Sequence, residues 1–286
     1  MIKVLVTGKD SQLAKCLRDI QKNYPRISFV FKNSKKLNIA SVKSVKSNFK
    51  ETDYDYCINC AAYTAVDKAE KEPVLARSIN TTGVINLAES CKENKVRLIH
   101  ISTDFVFDGE SKRPYLETDN KNPLGVYGKT KSEAEDVLIE ILESYFIIRT
   151  SWLYSQYNKN FLKSMLSLIK SNEEIKVVDD QIGSPTNANE LAQLICEIIN
   201  SDSNAFGVYH FCNKDETSWF NFAKEIFRVW SVRVELKPIK TSEYSTSTNR
   251  PKYSVLDTSK TENTFGLTIN GWKAALYNFR LNYNKE

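Results

Sequence analysis

Val4-Leu5-Val6-Thr7-Gly8, read with the amphipathic run that follows it, decides the fold class of this 286-residue chain. The apolar run Ile2–Thr7 reads as a strand that rises into a glycine turn. Leu13, Leu17 and Ile20 then fall on one stripe of a helix over Ser11–Lys22. The glycine lets the chain reverse tightly, and the helix presents its unpaired N-terminal N–H groups to the turn, a geometry suited to an anion. The spacing G-x-x-G-x-x-G is not completed. Its later positions hold Ser11 and Ala14, both small enough for close backbone approach.

The same alternation continues outward. Ile27–Phe31, Tyr56–Cys60, Arg97–Ser102 and Tyr145–Arg149 read as further strands, with helical patterns near Val74–Glu93 and Thr130–Glu143. Near-continuous apolar strands separated by amphipathic helices predict an α/β protein, a Rossmann-type doubly wound parallel sheet covered on both faces. The second half is less regular. Phe161–Ile169, Ala188–Ile199, Trp219–Trp230 and Gly271–Tyr283 read as helices, Val208–Phe211 as a strand and Lys240–Pro251 as a loop. Residues 1–150 are therefore expected to form a dinucleotide-binding domain to which some later segments return. Residues 151–286 are expected to be mainly a smaller, interleaved substrate-binding lobe.

Composition narrows the function classes. The net charge of +5 comes from lysines scattered among acids, which reads as a solvated surface and not as a nucleic-acid footprint. The first apolar run is too short for an export signal, and none can span a bilayer, so a cytoplasmic protein with no membrane partner is expected. Cys16, Cys57, Cys60, Cys91, Cys196 and Cys212 mostly lie in apolar runs and read as reduced core thiols. Cys57-Ile58-Asn59-Cys60 has the form of a redox motif but lies within a strand. No metal-ligand cluster is expected. His100 and His210 each sit in a strand-like run and read as core histidines with a satisfied partner, and no Ser/His/Asp arrangement accompanies them.

Chemistry concentrates in Val126-Tyr127-Gly128-Lys129-Thr130-Lys131. Tyr127 and Lys131 stand four apart, on one helix face. A nearby ammonium would lower the phenol pKa and make it a better acid for a carbonyl oxygen near neutral pH. Ser102-Thr103-Asp104 ends an upstream strand and could meet that pair. After the second strand come Lys32-Asn33-Ser34-Lys35-Lys36, with no acid to hold a ribose 2′-hydroxyl and several cations able to meet a 2′-phosphate. The cofactor expected is NADPH or NADH, with NADPH favoured.

Ile58-Asn59-Cys60-Ala61-Ala62-Tyr63-Thr64-Ala65-Val66-Asp67-Lys68-Ala69-Glu70 resembles the signature segment of the dTDP-4-dehydrorhamnose reductases, a family of extended short-chain dehydrogenase/reductases. The resemblance runs on through Ile101–Gly109, Tyr127–Lys131, Arg149–Tyr154, Asp180–Thr186 and Arg250–Ser254, nearly the whole chain in family order. It implies an NAD(P)H-dependent reduction of the C4 ketone of a 4-keto-6-deoxy nucleotide sugar to dTDP-L-rhamnose or a close relative. By the same resemblance Tyr127 would donate the proton, and Lys131 would hold the nicotinamide ribose. Thr103 would bond the same oxygen or the tyrosine hydroxyl, while Asp104 and Trp152 would line the sugar site. Gly8, Ser11, Gln12 and Leu13 would meet the pyrophosphate. Asn38 and Ile39 would lie beside adenine, and Ala61, Ala62 and Tyr63 would flank the cofactor.

Departures from the family pattern keep alternatives open. Ser11 and Ala14 replace loop glycines, and Asn38 stands where an acid is common. Lys15 stands where some relatives carry a glutamate used in metal-assisted dimerisation, so monomer or homodimer is left open. An epimerase or dehydratase of the same superfamily would use the same Tyr–Lys pair with tightly held NAD. Phe105, where dehydratases place a glutamate, speaks against dehydration. A non-catalytic binding or regulatory subunit is the third reading, supported only by the altered loop.

Overall fold

The computed structural model describes residues 1–169, 174–244 and 248–283. Its central sheet holds β1 (Ile2–Thr7), β2 (Ile27–Phe31), β3 (Tyr56–Asn59), β4 (Arg97–Thr103), β5 (Tyr145–Thr150) and β6 (Gly207–His210). The order is β2-β1-β3-β4-β5-β6, and every pairing is parallel. The order reverses between β1 and β3, and a crevice opens at the C-terminal ends of the strands at such a point. The principal helices are α1 (Gln12–Ile20), α2 (Val42–Glu51), α3 (Gly83–Asn94), α4 (Val126–Ile141), α5 (Ala188–Asn200), α6 (Trp219–Val229) and α7 (Trp272–Tyr283).

Side chains alternate along each strand, so neighbours feed different cores. Val4, Val6, Ile58, Ile99 and Ile148 pack with α1 and α5 on one face. Leu5, Cys57, Leu98 and Ile147 pack with α2, α3 and α4 on the other. This split also disposes of the Cys57–Cys60 motif. Cys57 lies in the second layer and Cys60 packs against the first, so the two thiols face away from one another, and all six cysteines are free. A third core, including Tyr154, Leu162, Phe222, Ile226, Trp272 and Leu276, unites α6 and α7 with the parallel pair Glu174–Val178 and Glu235–Ile239. β6 and α5 lie after residue 150 yet belong to the central sheet and its first layer. Among the described residues, no helix is long and apolar enough to cross a membrane.

Several elements differ from the sequence reading. α2 was not expected, because Val45 and Phe49 are isolated among lysines and serines. It forms where Ser41 caps it, accepting from Ser44 N at 3.3 Å, and those two side chains dock in the second core. The single helix expected over Val74–Glu93 is Pro73–Arg77, a π-helical turn Ser78–Thr82 and then α3. Asn80 and Thr81 of that turn reach outward to Tyr63 and Thr130. α4 begins at Val126, four residues before the expected Thr130, because the Glu70 carboxylate accepts from Val126 N at 2.8 Å and caps it. Glu235–Ile239 contains Pro238, which argues against a central strand, and it pairs on one side only, with Glu174–Val178. The expected loop Lys240–Pro251 falls partly outside the described residues, at 245–247. Its described start is a short 3-10 turn, Thr241–Glu243.

Candidate active site

The crevice begins at Gly8. Its φ of +61° suits glycine, and a Cβ there would lie 2.8 Å from Cys60 O and Ala61 N. β1 and β3 can therefore end side by side. Ser11 needs no such freedom. Its φ is −69°, and its hydroxyl caps α1 by accepting from Ala14 N at 3.3 Å. Ala14 is fully buried in the first core. The two replaced glycines thus leave the turn and the helix start intact.

At the end of β4, Thr103 Oγ1 accepts from Phe105 N at 3.2 Å and donates to Asp104 Oδ1 at 3.0 Å. Tyr127, in the first turn of α4, faces the Thr103 hydroxyl, and its ring meets Phe105 edge-on at 5.7 Å. Gly128 makes this approach possible, since a methyl there would overlap the Phe105 carbonyl oxygen. Gly128→Ala should therefore push α4 off the Thr103–Phe105 turn, at a cost of about 1–3 kcal/mol for forced overpacking. Urea unfolding alongside a turnover assay would check this. Wild-type stability and rate in the variant would mean that the close approach is not needed.

Burial pushes the Tyr127 phenol up to about 12. The Thr103 hydroxyl works against the rise, and the Asp104 charge adds to it. Asp104 itself is held up to about 6 by burial, and its Oδ2 is a buried acceptor without a hydrogen-bond partner. The expected lowering of the Tyr127 pKa by Lys131 is absent from this arrangement. Lys131 Nζ turns away from the phenol, donating to Ile101 O at 2.6 Å and meeting His100 Nε2 at 3.0 Å. Burial brings the Lys131 ammonium down to about 8, against the pull of Glu135.

Trp152 closes the far side. Its φ of +46° is rare for a bulky residue and stores about 1–3 kcal/mol of strain. Two contacts hold it there. Its indole stacks on Trp219 at 3.5 Å, and it lies so close to Gly183 that a Cβ at that position would be 2.6 Å from its Cε2.

A cleft of about 700 Å³ runs between these groups. Ser11, Gln12, Leu13, Ala61, Ala62, Thr103, Asp104, Tyr127, Lys131 and Trp152 all line it, so the structure brings together ten of the residues singled out from sequence. Gly8, Asn38, Ile39 and Tyr63 do not line it. Gly8 shapes the turn from behind. Asn38 is exposed and accepts from Ala40 N at 3.1 Å. Ile39 is 4% exposed and packs in the second core, its side chain filling the space over Gly83. Tyr63 is held by Asn80 through both its backbone N–H and C=O, and its hydroxyl donates to Glu72. The sequence reading missed Asn59, Asn158 and Lys159, which also line the cleft. The polar run Asn158–Asn160 just after Trp152–Tyr154 was the available signal. Lys15, remote in sequence, anchors that run by donating to Asn158 Oδ1 at 2.7 Å.

The residues present fit a dinucleotide. The cleft is lined by Ser11, Gln12 and Leu13 at the start of α1, next to the Gly8 turn, and by Thr103, Tyr127 and Lys131.

The model of the RmlD substrate binding domain family matches residues 2–284. The dTDP-4-dehydrorhamnose reductase of Sinorhizobium fredii is 36% identical over 281 residues, 95% of this chain and 94% of its own. The crystal structure of the dTDP-4-dehydrorhamnose reductase of Bacillus anthracis, in complex with NADP, superposes with a TM-score of 0.94 at 38% identity, covering 99% of this chain and 100% of that one. That of the Clostridium acetobutylicum dTDP-4-dehydrorhamnose reductase gives 0.93 at 39%, covering 97% and 98%. With a family match over almost its entire length, and with the fold and cleft described above, this chain belongs to the dTDP-4-dehydrorhamnose reductase family.

Proposed function

We propose that this protein reduces the C4 ketone of dTDP-4-dehydro-L-rhamnose, or of a close 4-keto-6-deoxy nucleotide sugar, to dTDP-L-rhamnose. The observation that carries this reading is the convergence of Thr103, Tyr127 and Lys131 on one cleft that also receives the N-terminus of α1. The bound NADPH or NADH supplies the hydride. Tyr127 supplies the proton to the ketone oxygen, and Thr103 orients its hydroxyl. Lys131 holds the nicotinamide ribose, with Ala61 and Ala62 beside it, while Ser11, Gln12 and Leu13 receive the pyrophosphate. Asp104 and Trp152 position the sugar, and the buried Asp104 Oδ2 is an acceptor suited to a sugar hydroxyl.

NADPH is the favoured cofactor. The exposed Lys35 and Lys36 follow β2 with no acid between them, and the Bacillus anthracis relative was solved with NADP. The third core is the substrate lobe, and the sheet domain recovers α5 and β6 from the later half of the chain. Free cysteines are in keeping with a reducing, cytoplasmic setting, with the protein acting as a monomer or homodimer. Phe105, whose ring lies on Tyr127, leaves no carboxylate at the place a dehydratase would need one.

The test is direct. Purified protein with dTDP-4-dehydro-L-rhamnose should consume NADPH absorbance and form dTDP-L-rhamnose, and more slowly with NADH. No turnover with either cofactor would sink the substrate assignment. Stoichiometric NAD carried through purification and recycled without added reductant would point to the epimerase reading.

A further inference from the structure

The roles assigned above leave both fully buried histidines unused, and one of them touches a residue of the site. His100 lies on β4 with no exposed surface, between Lys131 on one side and Asn59 on the other. Its Nε2 is 3.0 Å from Lys131 Nζ, and its Nδ1 is 3.1 Å from Asn59 Nδ2. The chain of contacts continues to the turn at Gly8. Asn59 Oδ1 accepts from Thr7 Oγ1 at 2.6 Å and from Ala61 N at 3.2 Å.

These contacts determine where the protons sit. A backbone N–H can only donate, so the Asn59 atom facing Ala61 is the carbonyl oxygen, and the amide nitrogen is turned to His100. That nitrogen also only donates, so His100 Nδ1 accepts. A neutral imidazole with a bare Nδ1 carries its proton on Nε2. The Nε2–H then points at Lys131 Nζ, and only an amine with a free lone pair can accept it. An imidazolium would set a donor against Asn59 Nδ2, and burial already pushes the His100 pKa well below its ordinary value.

The surrounding charges do not impose an ammonium. Glu135, one turn along α4, is taken up by Arg149 of β5 and by Lys121. Asp104, at the end of β4, bonds Thr103, and Tyr127, one turn before Lys131, is a neutral phenol. β3 brings only the neutral Asn59 to the pair.

We propose that His100 favours the neutral amine of Lys131 in the cofactor-free protein at mildly alkaline pH, so that loading the dinucleotide there is coupled to uptake of one proton from solvent by Lys131. The coupling rests on the functional reading above. The assignment of His100 does not. An anionic dinucleotide in the cleft favours the ammonium, whereas the His100 Nε2–H favours the amine. Cofactor affinity should therefore fall as pH rises, and His100 sets where that fall begins. His100 is in this sense a positioning residue, acting through Lys131.

Nitrogen-15 NMR of the histidine-labelled, cofactor-free protein, recorded near pH 9, tests the assignment. The second histidine is an internal control. His210 Nδ1 faces Tyr115 O and its Nε2 faces the Arg149 guanidinium, so it must be the opposite, Nδ1–H tautomer. One histidine of each tautomer is expected, with the Nε2–H signal lost in His100→Gln. Two Nδ1–H histidines, or an imidazolium at position 100, would overturn the proposal. Calorimetric titration of NADPH near pH 9, in buffers of different ionisation enthalpy, tests the coupling. Wild type should take up about one proton. His100→Gln should take up clearly less, because its Oε1 can accept from a lysine that is already charged. Binding without proton uptake in wild type would overturn the coupling. Failure of NADPH to bind would strike the functional reading instead, and the tautomer measurement, which needs no cofactor, would still decide the role of His100.

Discussion

Tyr127→Phe should lower single-turnover hydride transfer by about 10²–10⁴-fold, the usual cost of losing a general acid. NADPH affinity should be unchanged, because the substitution deletes only the hydroxyl. The ring keeps its edge-on contact with Phe105 at 5.7 Å, and Lys131 keeps its own bonds to Ile101 O and His100. The measurement pairs stopped-flow cofactor oxidation at saturating NADPH with a binding titration. A wild-type rate would show that another group delivers the proton, and weakened binding would place Tyr127 in cofactor recognition. The pH profile carries a second part of this prediction. With burial pushing the phenol to about 12, Tyr127 stays protonated across the neutral range. Lys131, brought down by burial to about 8, is the group that changes state. Its charged form is the one that binds cofactor, so kcat/KM for NADPH should fall as pH rises past about 8. That falling limb should be present in wild type and also in Tyr127→Phe, whose residual activity still depends on Lys131. A limb that vanished with the tyrosine hydroxyl would reassign it.

Glu135→Ala should destabilise the protein by about 3–5 kcal/mol, the cost of leaving a buried partner charge uncompensated. Glu135 has no exposed surface, and it binds the guanidinium of Arg149 through Nε at 3.0 Å and Nη2 at 2.7 Å. Ser102 Oγ and Lys121 complete its partners. Urea unfolding with an unchanged slope is the readout, and a loss below about 1 kcal/mol, the range of a surface pair, would contradict the assignment. Replacing both partners with apolar residues of similar size, Glu135→Leu with Arg149→Met, should recover most of the loss, because no charge is then stranded. The pH sign follows from the shift. Burial acts to raise the Glu135 pKa, but the Arg149 charge and hydrogen bonds, Lys121 and Ser102 outweigh it and leave the carboxyl below its ordinary value. A carboxylate lowered on folding stabilises fully above its unfolded pKa and loses that contribution as pH falls through the folded one. The gap between wild type and Glu135→Ala should therefore narrow on acidification below about 4.5. Ser102, next to Thr103, ties this pair to the reactive end of β4, so its loss should also lower turnover.

What the chain declared on its own was whatever depends on neighbours in sequence. The apolar run Val4–Val6, the stripe of Leu13 and Leu17, the glycine that ends the first strand and the Tyr127–Lys131 spacing are all local. They were enough to place the sheet, the turn at Gly8 and the Tyr127–Lys131 pair near Thr103, while the family resemblance supplied most of the other residues that line the cleft. The motif order added the family, which composition could not. Tertiary structure decided what depends on residues far apart in the chain. Ile39 went to the core because Gly83 left it room. The helix expected over 74–93 broke into a π turn whose Asn80 clamps Tyr63 and bonds Thr130. Trp152 took a strained backbone because Trp219, 67 positions on, stacks against it. Lys131 turned toward His100 instead of Tyr127, since β4 offers a carbonyl and an imidazole closer to hand than any partner one helical turn away. The direction of a buried ammonium is set by the acceptors within about 3 Å of it, and those come from strands that the spacing of residues along one helix cannot reveal.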